Sequence, residues 1–198
     1  MKERHVVVIA GPTGSGETTV TNEIVKRFSH RVKRLVTATT RPPRAGEKSG
    51  TDYYFFTKEE FARRKEAGDI LESTYIPNRD TYYGTYAPDL KDKIDSGFIV
   101  IVNPDIVGAR YYKEKYNAVT IFIVPESIDA LTRRIRERNP ELPESEVVKR
   151  QANAEAEIQN EQSFYDYAVA NVDGKLEETV QGVIDIMHKE GYNFGAAS

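Results

Sequence analysis

The chain has 198 residues, 39% of them hydrophobic and 30% charged, with a formal net charge of -3 and no cysteine. That length suits one domain with a real core. The charge balance excludes bulk attraction to nucleic acid or to an anionic membrane, and the lack of cysteine excludes disulfides and thiolate metal sites and fits a cytosolic origin. No apolar run approaches ~20 residues, so no membrane span is expected. The start, Met1-Lys2-Glu3-Arg4-His5, carries no signal-peptide pattern.

Val6-Val7-Val8-Ile9-Ala10 reads as a strand, and residues 19–28 read as a helix. Between them lies Gly11-Pro12-Thr13-Gly14-Ser15-Gly16-Glu17-Thr18. Strand, glycine-rich turn and helix in that order are the setting of a nucleotide-phosphate loop. The glycines let backbone N–H groups close around a polyphosphate, and the following helix aims its positive end at the same point. Gly11, Gly16 and Thr18 satisfy the pattern G-x-x-x-x-G-K-[ST], but the lysine position holds Glu17.

Residues 32–37 predict a second strand, running into a loop over 39–47 whose prolines forbid regular structure and which displays Arg41 and Arg44. Residues 52–56 alternate like a strand. Thr57-Lys58-Glu59-Glu60 is a capping box with Phe56 and Phe61 at the staple positions, opening a helix that stops near Gly68. Strands at 70–75, containing Glu72, and at 81–85 flank a turn at Pro77-Asn78-Arg79-Asp80. A helix over about 88–96 precedes the unbroken apolar run 98–102, the mark of a strand buried on both faces. Asn103-Pro104-Asp105 follows, then a helix over about 105–116 and another buried strand at 119–124.

Ser127 caps a helix striped by Ile128, Leu131 and Ile135. Arg134 and Arg138 lie beside that stripe; Arg133 and Arg136 point away. A proline-containing break precedes a polar helix over about 144–162. A strand near 168–170 and an amphipathic helix carrying Leu176, Val180, Val183, Ile184 and Met187 close the domain, with residues 191–198 as a frayed tail. Strands alternating with helices predict a three-layer α/β fold with a mostly parallel sheet. Ligands then belong at the carboxyl ends of its strands, where residues 11–18 and 103–105 fall.

Thr40-Arg41-Pro42-Pro43-Arg44-Ala45-Gly46-Glu47, followed by Gly50-Thr51-Asp52-Tyr53, resembles the signature segment of guanylate kinases, which transfer a phosphoryl group from ATP to GMP. The likeness runs from the glycine-rich loop to Asn171-Val172-Asp173. It implies one P-loop NTPase-like domain over 1–198, with a core from 1–36, 88–133 and 163–190, a small GMP-binding β subdomain over about 37–87 and a helical lid over about 134–160. It also implies a cytoplasmic monomer or homodimer with ATP and GMP as small-molecule partners and neither nucleic acid nor membrane among them.

By that resemblance, ATP phosphates lie on Gly11, Pro12, Thr13, Gly14, Ser15, Gly16, Glu17, Thr18 and Thr19. Arg41, Arg44, Tyr53 and Tyr83 hold the GMP phosphate; Glu72, Thr85 and Thr37 read the guanine; Glu47 and Asn103 complete the acceptor set. Arg134, Arg138 and Arg150, with Arg41, supply catalytic charge, and Thr18 with Asp105 hold Mg2+. The chemistry suits those roles. Guanidinium forks match phosphate oxygens, and a carboxylate accepts from guanine N1–H and the 2-amino group, donors that adenine lacks in that arrangement. A threonine hydroxyl donates to O6.

Three departures from the family pattern stand out. The usual Asp-x-Asp is Asn103-Pro104-Asp105, and the turn between Glu72 and Tyr83 is about two residues longer. The third is Glu17. Two unit charges at ~4 Å interact by about 4 kcal/mol at an effective dielectric of ~20, so exchanging lysine for glutamate costs up to on the order of 8 kcal/mol beside a triphosphate. If the side chain swings away, the loss is one donor, ~10²–10³ in rate. Pairing with Arg134 or Arg138, or direct contact with Mg2+, are the remaining options. The expectation is a guanylate-kinase-like phosphotransferase impaired by Glu17. The alternatives are a pseudokinase that binds GMP or a protein ligand in the acceptor groove, and a kinase of another phosphorylated small molecule.

Overall fold

A computed structural model describes residues 4–195. The β-branched run at the start forms β1 (Val6–Ala10), buried at every position. In chain order there follow α1 (Glu17–Arg27), β2 (Val32–Arg34), β3 (Ala38–Thr39), β4 (Tyr54–Phe55), α2 (Lys58–Glu66), β5 (Ile70–Ile76), β6 (Thr81–Tyr86) and α3 (Ala87–Asp95). The second half contributes β7 (Ile99–Val102), α4 (Ile106–Tyr116), β8 (Val119–Pro125), α5 (Ile128–Arg138), α6 (Glu144–Glu161), β9 (Tyr167–Asn171) and α7 (Leu176–Lys189).

β1 sits at the centre of a five-stranded sheet ordered β2-β7-β1-β8-β9, every pairing parallel. The two-residue period of its side chains makes the layers. Val7 and Ile9 pack with Val20 and Ile24 of α1 and Val180, Val183, Ile184 and Met187 of α7. Val6, Val8 and Ala10 pack on the other face with Leu90 of α3 and Ala109 and Tyr112 of α4. The three-layer α/β architecture predicted from the sequence is present, and among the described residues no helix is long and apolar enough to cross a membrane.

A second sheet, ordered β4-β3-β6-β5, stands apart from the first; β3 pairs parallel with β4 and antiparallel with β6. The strand predicted over 32–37 is therefore shortened to β2, and the next strand, β3, belongs to the other sheet. Leu35 N–H still donates to Ile101 O (2.9 Å), but Val36 N–H donates instead to the Asp89 carboxylate (3.0 Å), and the chain leaves the large sheet there. Asp89, in the first turn of α3, also accepts from the Tyr54 hydroxyl (3.2 Å) and is ion-paired with Lys93. The strand predicted over 52–56 shortens to Tyr54–Phe55.

Thr57 caps α2 as expected, its hydroxyl accepting from Glu60 N–H (3.1 Å), while Glu60 turns its carboxylate to Arg64 instead of completing the box. The end of the chain also departs from the reading of its sequence. Tyr192 and Phe194 are buried in the core, and the Tyr192 hydroxyl donates to Val6 O (2.6 Å) while accepting from Val119 N–H (3.1 Å). Residues 196–198 of the expected tail lie outside the described residues.

Candidate functional site

The glycine-rich loop leaves the carboxyl end of β1 and enters α1 through Gly16, the residue preceding the helix, at φ 94°. A side chain there would meet more than a strained φ: a Cβ on Gly16 would lie 2.2 Å from Asn171 Nδ2, which donates to Ser15 O (2.7 Å). No side chain caps α1, so its first N–H groups are left for a ligand. Ser15 is fully buried, and its hydroxyl has no partner.

Arg134 braces this loop from α5. Its guanidinium donates to Gly14 O (3.4 Å), Ser15 O (3.3 Å), Asn171 O (3.0 Å) and the Asp173 carboxylate (2.9 Å). Its N–H groups are thus committed to protein, and it holds the loop in shape instead of presenting a free fork. Burial pulls its pKa below the usual arginine range.

Three cavities make up the site, the second and third of them touching the loop. The first, about 230 Å³, lies between the two sheets and is lined by Thr37, Tyr53, Glu72, Tyr83, Thr85 and Tyr112 among others. Glu72 reaches it from β5 and Thr85 from β6, brought close because Gly84 has no side chain; a Cβ there would lie 2.7 Å from Glu72 O. Thr85 Oγ1 donates to Glu72 Oε1 (2.6 Å) and sits 2.5 Å from the hydroxyl of the buried Tyr112. An ionised carboxylate only accepts, so the one threonine proton goes to Glu72 and the tyrosine donates to Thr85. In this arrangement the Thr85 proton is engaged by Glu72, and the Thr37 side chain lines the same cleft. Burial raises the Glu72 pKa, outweighing the Thr85 hydrogen bond.

Arg41 stands at the edge of this cleft. Its fork is bidentate on Glu47 (2.7 Å to each oxygen), and its plane lies 5.0 Å from the Tyr53 ring centroid. The Glu47 bond, reinforced by Tyr83, pushes the guanidinium pKa above the usual arginine range. Glu47 is held down to about 2 by Arg41 and then by the Arg44 N–H, which donates to it at 2.7 Å. Glu47 thus positions Arg41 and folds the loop through three accepted hydrogen bonds.

The second cavity, about 310 Å³, is walled by Thr13 and Gly14 of the loop, Arg44, Arg79, Arg134, Arg138, Arg150 and Asn153. Arg44 faces this cavity, with the arginines of α5 and α6, and does not line the cleft of Glu72. The third, about 290 Å³, is acidic. Glu17, Asp105, Glu157 and Glu161 line it with Asn103 and Tyr165, and no basic side chain does.

Glu17 makes no ion pair with Arg134 or Arg138, nor any other among the described residues. Its pKa rises from 4.5 to about 8, chiefly through burial; Arg34 pulls it down, Glu157 pushes it up and Arg138 pulls it down again. Near neutral pH the side chain carries its proton, so the penalty of about 8 kcal/mol expected for a fixed negative charge does not arise at this position. Glu157 is pushed up to about 7 by burial and by Glu161.

Asn103 and Asp105 line both the first and the third cavity. Asn103 Nδ2 donates to Ile9 O (2.8 Å) and Thr21 Oγ1 (3.0 Å), leaving its buried Oδ1 without a partner. Asp105 caps α4 by accepting from Gly108 N–H (3.0 Å) and also accepts from Thr74 Oγ1 (2.6 Å). Thr18 is half-buried in the first turn of α1, and Thr19 is exposed. Among the described residues no three His, Cys, Asp or Glu side chains are arranged to hold a metal ion. Hard oxygen donors at Asp105, the free Asn103 Oδ1 and Thr18 suit Mg2+, which keeps water and phosphate oxygens as most of its ligands.

Sequence reasoning missed Tyr112, Arg79 and the carboxylates of α6. Tyr112 was legible in principle, because Asp105, Gly108 and Tyr112 share one helical face, and Asp105 was already singled out. Arg79 and Glu157 carry no local signal, since only the fold brings them to the loop.

The family model for guanylate kinase matches residues 3–190 of the chain. The guanylate kinase of Rhodopirellula baltica is 37% identical over 185 residues, covering 91% of this chain and 88% of that protein. The guanylate kinase of Thermotoga maritima is 38% identical over 187 residues, covering 94% and 87%. The crystal structure of guanylate kinase from Anaplasma phagocytophilum superposes with a TM-score of 0.71 at 29% identity, over 98% of this chain and 89% of that one. A shikimate kinase from Acinetobacter baumannii (TM-score 0.52, 11% identity, 97% of each chain) shares the fold alone.

Proposed function

The chain belongs to the guanylate kinase family, and from that premise we propose that it transfers the γ-phosphoryl group of ATP to GMP, giving ADP and GDP. One observation carries the reading: the Thr85–Glu72 hydrogen bond, backed by Tyr112, in the same cleft as Tyr53 and Tyr83. With Oε1 fixed by Thr85, the second oxygen of Glu72 faces guanine N1–H and the 2-amino group. Adenine would leave that carboxylate unpaired. Arg41, stacked on Tyr53 and locked by Glu47, holds the GMP phosphate with Tyr53 and Tyr83, and Arg44 meets the same phosphate from the arginine cavity.

On the donor side, the N–H groups of residues 11–19 cradle the ATP phosphates while Arg138 and Arg150 offset the charge of the phosphoryl group in flight. Arg134 keeps the loop in shape. Glu17, protonated, offers an O–H donor where the family pattern has an ammonium, so turnover is slow without being abolished. Asp105 and Thr18 would hold Mg2+, which when bound would offset the charge of the donor phosphates.

The test is ADP release on mixing ATP, Mg2+ and GMP, run beside calorimetry of GMP binding. The expected result is GMP binding with slow turnover; intact protein that does not bind GMP would overturn the reading. Glu17 itself favours a second reading, a GMP-binding protein without catalysis. Turnover at background in the native chain, with fast turnover in Glu17→Lys, selects that one.

A further inference from the structure

The lengthened turn between β5 and β6 carries a charge that acceptor binding does not use. Arg79 ends a 3-10 turn (Pro77–Arg79), and Asp80 behind it reverses the chain in a left-handed conformation, φ 48°. The Arg79 carbonyl accepts from Thr81 Oγ1 (2.8 Å), which fixes the turn. The adjacent acid does not neutralise the arginine, because Asp80 is ion-paired with Lys58 and accepts from the Tyr75 hydroxyl (2.9 Å).

Arg79 instead lines the arginine cavity, with Arg44 from its own side, and with Thr13, Gly14, Arg138 and Arg150 completing the wall. Arg134 is offset by Asp173. Among the described residues Arg44, Arg79, Arg138 and Arg150 form no ion pair, and no carboxylate lines the cavity. Four like charges in so small a space repel unless an anion lies among them. A polyphosphate chain, with several negative charges in a row, matches that set better than a lone phosphate does.

We propose that Arg79 is a further ligand of the donor polyphosphate, reaching it from the acceptor-side sheet and supplying part of the positive charge missing from the loop at Glu17. The inference rests on the reading of this cavity as the place where donor phosphates lie.

The test is calorimetry of inorganic tripolyphosphate and, separately, of GMP on the intact chain and on Arg79→Lys, Arg79→Ala and Arg79→Glu, with Arg138→Ala as reference. Tripolyphosphate affinity falls about tenfold in Arg79→Ala, the scale of one charge-assisted hydrogen bond. It falls further in Arg79→Glu and is largely kept in Arg79→Lys, while GMP affinity does not move. Affinity unchanged across the Arg79 series, with Arg138→Ala weakened, overturns the role of Arg79 and leaves the donor site standing. Equal losses for tripolyphosphate and GMP overturn it too, because they mark a loosened turn. A native chain that binds GMP but no tripolyphosphate overturns both the role and the reading of the cavity.

Discussion

The two halves of the site handle charge in opposite ways. On the acceptor side Arg41 is paired with Glu47, Glu72 with Thr85 and Tyr112, and Asp105 with Thr74 and Gly108 N–H, while Arg44 turns to the arginine cavity without an ion pair among the described residues. On the donor side arginines and carboxylates are sorted into separate cavities on either side of Thr13, and among the described residues Glu17 forms no ion pair. The first half is built before its ligand comes. The second is completed by anions on one flank and protons on the other, so it answers to ligand and pH where the acceptor cleft answers to geometry.

The sharpest way to test that contrast is to place a positive charge at position 17. Glu17→Lys is expected to raise the rate of ADP release by ~10²–10³, the worth of one donor aimed at developing charge, with GMP affinity unchanged; no gain in a coupled assay would mean the donor half is not limited there. On the paired side, Glu72→Ala should weaken GMP binding by about a hundredfold, since it strips the base contact and leaves Thr85 without its acceptor. Calorimetry giving native affinity would break the contrast outright.

A smaller effect separates the halves by pH. Glu17 titrates at about 8 in the fold against 4.5 for an ordinary glutamate. Between those values the folded chain holds a proton that the unfolded chain has released, so the contribution of Glu17 to stability is full below pH 4.5 and is lost as pH rises toward 8. After allowance for its partly exposed position the fall is about 2 kcal/mol, and Glu157, at about 7, adds to it with the same sign. Denaturant midpoints at pH 5 and pH 8 measure the slope, and Glu17→Gln should flatten it. The smallest change expected is in Tyr112→Phe. Losing one buried hydroxyl behind Thr85 costs about 1 kcal/mol, seen as a several-fold rise in KM for GMP with kcat unchanged; a fall in kcat instead would mean that Tyr112 does more than position Thr85.

Much of the fold was readable because its cause is local. Val6-Val7-Val8-Ile9-Ala10 and residues 98–102 have nowhere to lie but the middle of a parallel sheet, and Thr57 and Ser127 mark helix starts by a single hydrogen bond each. What failed depends on contacts across the chain. Residues 32–37 look like one strand until Asp89, more than fifty positions away, takes the N–H of Val36. Residues 191–195 look like a tail until Tyr192 finds carbonyl and amide partners in β1 and β8. Likewise helical spacing puts Arg134 beside the apolar stripe of α5, but only the fold brings its guanidinium to Asp173 and the loop carbonyls. The charge state of Glu17 is set by burial and by Glu157 on a distant helix, which no spacing rule contains.

Asp89 joins things that sequence keeps apart. Its carboxylate holds the segment leaving the large sheet at Val36, the small sheet at Tyr54, and the helix that brings the chain back. The outgoing and returning connections are tethered to one carboxylate that lines none of the three cavities. The junction of the two sheets is thus pinned from behind, by a residue set away from the cavities where ligands would lie.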